Sequence, residues 1–140
     1  MNVKSWEGWS GWSTFSNMSG VPERPGAYVI ATRQTITRIS GQDKNGILSI
    51  GETDNLSNRL QMFLSCANGN RHRGHTAGWR YRELCLDKLF PIASLHFRWK
   101  SESSKEKAYA LEGELLKEYA SQHCELPPLN YKYNWSAHSH

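Results

Sequence analysis

At 140 residues and a net charge of +4, the chain is sized for one domain, long enough to bury a core and too short for two. Hydrophobic residues make up 38% and charged residues 21%, with no apolar run long enough to span a bilayer and no apolar leader. Neither a membrane segment nor a signal peptide is expected, and the chain reads as cytoplasmic. The three cysteines, Cys66, Cys85 and Cys124, are odd in number and form no C-x-x-C pair, which argues against a disulfide framework. The six histidines lack the i, i+4 spacing of a helical zinc pair, and His138 with His140 reads as a frayed tail.

Residues 1–20 carry Trp6, Trp9 and Trp12 among Ser and Gly. A spacing of three neither keeps to one helical face nor alternates as a strand does. The expectation is an irregular arm whose indoles fold back onto the core, with a base-stacking platform as the alternative. Pro22 and Pro25 then stop any helix and lead into extended chain.

Short apolar runs from Ala27 to Thr32 and from Ile47 to Gly51 predict two antiparallel strands, with Asn45-Gly46 as a turn before the second. The β-prone stretch from Thr35 to Ser40 between them predicts an extra strand excursion. Thr53, Asp54 and Asn55 are capable N-caps for an amphipathic helix carrying Leu56, Leu60, Phe63, Leu64 and Ala67, with Arg59 at the margin of its stripe. A second helix is predicted within 75–88, and Ser94 to Trp99 alternates as a third strand.

A last helix is predicted from Ser103, with Glu106 completing a capping box, to about His123. On it Leu111, Leu115, Leu116 and Tyr119 share a face with Ala108, and Glu112 falls inside that apolar stripe. A carboxylate so placed is costly unless it is paired or binds a metal, and both readings stand. Arg71, Arg73, Arg80 and Arg82, with His72 and His75, concentrate positive charge in a short stretch. Such a cluster suits a polyanion, or is an ordinary solvated loop.

Gly26-Ala27-Tyr28, Ser49-Ile50-Gly51, Arg59, Glu112 within Leu111-Glu112-Gly113-Glu114-Leu115-Leu116, and Asn130 within Pro127-Pro128-Leu129-Asn130 resemble, in order and local context, the GIY-YIG nuclease family. The resemblance covers residues 21–134, leaving the arm before it and a tail at 135–140. It implies a small α/β (α+β) fold with a central three-stranded antiparallel sheet flanked by helices. It also implies a divalent-metal-dependent DNA endonuclease that hydrolyses phosphodiester bonds to a 5′-phosphate and a 3′-hydroxyl. Tyr28 matches the motif tyrosine that helps deprotonate the attacking water, and Arg59 the arginine that contacts the scissile phosphate. Glu112 matches the glutamate that binds one Mg²⁺ or Mn²⁺, and Asn130 the asparagine that holds the site together. Gly26 and Gly51 match the motif glycines.

The chain departs from the family at Ser49, where the second motif presents another tyrosine. A free phenol with a pKa near 10 is scarcely ionised at neutral pH, so Tyr28 needs help to act as a base. His75 is the expected substitute, since an imidazole is a competent proton acceptor there; capping the next helix is its alternative task. The partner implied is DNA, contacted by Arg71, Arg73, Arg80 and Arg82, and action as a homodimer is left open. Two other readings remain: a non-catalytic nucleic-acid-binding module on the same scaffold, and an interaction domain docking through its N-terminal tryptophans.

Overall fold

The strand Gly26–Thr32 (β2) is buried at every position, because it lies in the interior of a sheet with side chains packed on both faces. The computed structural model describes residues 6–138; residues 1–5 of the arm, and 139–140 of the tail, including His140, lie outside the described residues. Strands are Ser13–Thr14 (β1), β2, Ile36–Arg38 (β3), Gly41–Asp43 (β4), Ile47–Thr53 (β5) and Leu95–Ser101 (β6). Helices are Leu56–Ala67 (α1), Thr76–Glu83 (α2) and Lys105–His123 (α3).

The main sheet is antiparallel in the order β1-β6-β2-β5, and β3 with β4 forms a separate hairpin. The α+β architecture is as expected, but the sheet has four strands rather than three. The extra strand is two residues of the arm, with Ser13 opposite Phe97 and Thr14 opposite His96. So short a strand leaves no alternation to read. The arm does fold back: Trp6 and Trp9 pack against the core on the α3 side, and the Arg98 guanidinium carbon lies 4.4 Å from the Trp6 ring and 4.5 Å from the Trp12 ring.

Tyr28 and Ile30 face α1, packing with Leu56, Leu60 and Phe63, whereas Ala27 and Val29 face Leu115, Leu116 and Tyr119 of α3. The expected excursion between β2 and β5 is the β3–β4 hairpin, held to the end of α3 by an Arg38–Glu125 ion pair at 2.6 Å. Gly46, at φ 62°, makes the turn into β5.

Asn55 caps α1 by accepting from the Asn58 N–H at 3.0 Å. The cap of α3 is Ser104, not Ser103, and it accepts from the Lys107 N–H at 3.2 Å; Glu106 instead sits in the first turn, against the positive end of the helix dipole. The helix expected within 75–88 ends at Glu83, because Cys85 takes a left-handed conformation at φ 56° and a 3-10 turn, Leu86–Lys88, follows. Cys66 is buried, Cys85 and Cys124 are exposed, and all three are free thiols. Among the described residues no helix is long and apolar enough to cross a membrane.

Candidate active site

A cleft of about 280 Å³ opens beside β5, the edge strand of the main sheet, so residues from both faces of the sheet reach it. Tyr28 enters from the α1 side. It stands opposite Gly51 across the β2–β5 ladder, and a Cβ at Gly51 would overlap the phenol ring. The second motif glycine therefore leaves the space that Tyr28 fills. Gly26, one end of the same ladder, is equally constrained, since a side chain there would strike the Lys100 carbonyl and Leu56.

The Tyr28 hydroxyl lies 2.9 Å from His75 Nε2. His75 is also the N-cap of α2, where its Nδ1 accepts from the Gly78 N–H at 3.3 Å. A neutral imidazole with an accepting Nδ1 carries its proton on Nε2, so His75 donates to the phenol oxygen. Burial, and then the charge of Arg59, lowers the His75 pKa to about 3. His75 thus lies in the cleft as expected, but it is placed as a hydrogen-bond donor and helix cap, not as a base. The same burial pushes Tyr28 up to about 12, against the pull of the Arg59 charge and hydrogen bond.

Arg59 projects from α1, and its guanidinium donates to the Gly74 carbonyl at 2.5 Å, which ties the basic loop to the cleft. Asn130 is held by a two-way pairing with the backbone of Ile50, accepting from its N–H at 2.9 Å and donating to its carbonyl at 2.8 Å. The neighbouring Leu129 N–H bonds to the Leu48 carbonyl at 2.8 Å. Together they cover part of the β5 edge, whose polar backbone groups would otherwise be open to water or to another strand.

Glu112 enters from α3, half-buried. Its Oε1 accepts from the side-chain amide of Asn134 at 2.9 Å, and that amide also donates to the Tyr109 carbonyl at 2.8 Å. Gly113 makes this possible: a side chain there would collide with Ser136 and press on Asn134. Burial raises the Glu112 pKa to about 6, offset by the Asn134 hydrogen bond and reinforced by the nearby carboxylate of Glu52. Glu52 itself pairs with Lys105 at 3.5 Å.

Two carboxylates in one cleft, one of them with a raised pKa, form a setting that a divalent cation would relieve. Among the described residues no three His, Cys, Asp or Glu side chains converge, so the donors do not suit the closed cage of a structural zinc. They fit a hard cation that keeps several waters and binds through one or two carboxylates.

The expected site residues Tyr28, Arg59, His75, Glu112 and Asn130 all line this cleft, as does the buried Ser49. The four arginines expected to meet DNA are placed differently. Arg71 and Arg73 are exposed on the loop before α2. Arg80 is half-buried and donates to the Pro128 carbonyl at 3.5 Å, and the Arg82 guanidinium lies over Gly69. Sequence reasoning missed Glu52, Asn134, Tyr109 and Lys132. Glu52 could have been found, since it alternates with Ile50 on β5 and so points toward α3. Tyr109 sits on α3 off its apolar stripe, and Lys132 and Asn134 lie in the irregular chain after that helix.

The chain matches no family model and no curated protein.

Proposed function

We propose that this protein is a divalent-metal-dependent DNA endonuclease, a variant of the GIY-YIG type with a serine in place of the second tyrosine. What supports the reading is the convergence on one cleft of Tyr28, Arg59, His75, Glu112 and Asn130, which come from widely separated parts of the chain.

Phosphodiester hydrolysis needs a water that loses its proton, positive charge against the phosphoryl oxygens, and help for the leaving oxygen. Arg59 supplies fixed charge at the phosphate. Tyr28 accepts the proton of the water only as its phenolate, and the Arg59 charge and the His75 Nε2–H are the groups that favour that form against burial. Glu112, oriented by Asn134 and with Glu52 beside it, would hold the cation. When bound, a divalent cation supplies charge neutralisation and acidifies water. Asn130 fixes β5, and with it the Gly51 gap in which the Tyr28 ring sits.

Incubating supercoiled plasmid with the protein in Mg²⁺ or Mn²⁺ tests the proposal. Nicking that disappears with a chelator and in Glu112→Ala is expected; unchanged cutting by Glu112→Ala would refute the assignment.

A second reading is a DNA-binding module without catalysis. It is favoured by one observation: with Ser49 at the second motif position, and with His75 and Arg59 both donating, the phenol at about 12 has no proton-accepting side chain bonded to it. This reading expects salt-sensitive binding and no nicking with either metal.

A further inference from the structure

Three large aromatic side chains stand exposed in the cleft or in the depression that adjoins it. Tyr109 is 46% exposed, Tyr131 59% and Trp79 43%. Singly exposed apolar residues are ordinary, but two of these line one cleft and the third walls the depression joined to it through His75 and Thr76. Tyr109 lies one turn before Glu112 on α3, and Tyr131 directly follows Asn130; both line the cleft. The Lys132 ammonium lies 5.8 Å from the Tyr131 ring centre. Trp79 walls an open depression of about 600 Å³ with His72 and Arg73, and this depression shares His75 and Thr76 with the cleft.

Aromatic faces interleaved with cationic groups along a groove match single-stranded nucleic acid, whose bases offer π-faces for stacking. A duplex hides those faces in its own stack and presents only phosphates and base edges. Phosphate contact alone would call for the arginines and lysines and leave the three rings without a task.

We propose that the cleft takes its DNA strand unpaired, with bases stacked on Tyr109 and Tyr131 on the Glu112 side and on Trp79 on the His75 side. The preferred substrates are then single strands, flaps and splayed junctions rather than continuous duplex. This inference rests on the nuclease reading for its purpose, but it is tested by binding alone.

Fluorescence anisotropy in chelated buffer would compare three labelled probes: a mixed-sequence single strand, the same strand annealed to its complement, and an abasic strand of equal length with the same phosphates. The single strand should bind about tenfold more tightly than either of the others, the size of one base–aromatic stack. Tyr109→Ala with Tyr131→Ala should lose at least that factor on the single strand and little on the abasic strand, while the two Tyr→Phe changes keep the affinity. Equal binding of all three probes, or tighter binding of the duplex, would overturn the proposal. Because no cation is present, a protein that fails to nick plasmid still reports on stacking, and a protein that nicks plasmid but shows no preference removes only this inference.

Discussion

His75 donates to Tyr28. The 2.9 Å contact between Nε2 and the phenol oxygen has this direction because Nδ1 is committed to the Gly78 N–H at the start of α2. The direction decides which group any pH dependence belongs to.

At sub-saturating metal the acidic limb of a pH–rate profile should fall near pH 6, where Glu112 loses its proton; it should move to lower pH as the metal is raised, because the cation favours the carboxylate, and should persist in His75→Gln. Steady-state nicking rates between pH 4.5 and 8 would check it. A limb that vanishes with the histidine would restore His75 as the base.

The same two groups act oppositely on stability. The folded pKa of His75 is lowered to about 3, so the unfolded chain binds the extra proton below pH 6.5, and stability should decline as pH falls from there toward 3. Glu112, raised to about 6, contributes stability that is full below its unfolded value of 4.5 and lost as pH rises through 6. Urea midpoints measured against pH should flatten on the acid side in His75→Gln.

Asn134→Ala should move the Glu112 limb upward, because the Asn134 hydrogen bond holds that pKa down. It should also weaken cation binding by roughly tenfold, the usual cost of losing a group that orients a metal ligand. Mn²⁺ titration followed by calorimetry would measure it; unchanged affinity and an unmoved limb would show that Glu112 needs no orienting partner.

Asn130→Ala leaves the Ile50 N–H and carbonyl without their side-chain partner and should destabilise the fold by about 1–3 kcal/mol. Gly51→Ala should cost a similar amount, about 1–3 kcal/mol, by forcing a methyl into the Tyr28 ring. Denaturant unfolding would give both values, and Gly51→Ala should in addition lower nicking more than its stability loss explains.

Trp12→Ala should cost about 1 kcal/mol through loss of its cation–π contact with Arg98 and leave DNA affinity unchanged. A drop in affinity at unchanged stability would mean that the arm contacts nucleic acid.

Most of the fold was legible because its signals are local. The β2 and β5 runs, the cap candidates Thr53, Asp54 and Asn55 before α1, and the apolar stripe of α3 each announce themselves within a few residues. Glu112 stood out for the same reason, as a carboxylate in an apolar register. The fourth strand was not legible, because Ser13–Thr14 owes its pairing to the indoles that lay the arm along β6. The task of His75 was half legible: helix capping could be read from its position before Thr76, but its bond to Tyr28 exists only once α2 packs against α1 and brings the ring to β2. Asn134 was invisible, since its importance comes from a hydrogen bond to Glu112 that forms only once the chain after α3 packs over Gly113.

The segment that follows α3 supplies both Asn130 and Asn134. A chain synthesised only to residue 126 would already hold Tyr28, Arg59, His75 and Glu112, yet it would have neither amide to fix the β5 edge or to aim the carboxylate. The cleft is therefore assembled last, and a ribosome-bound intermediate would carry these four side chains without the two amides that align them.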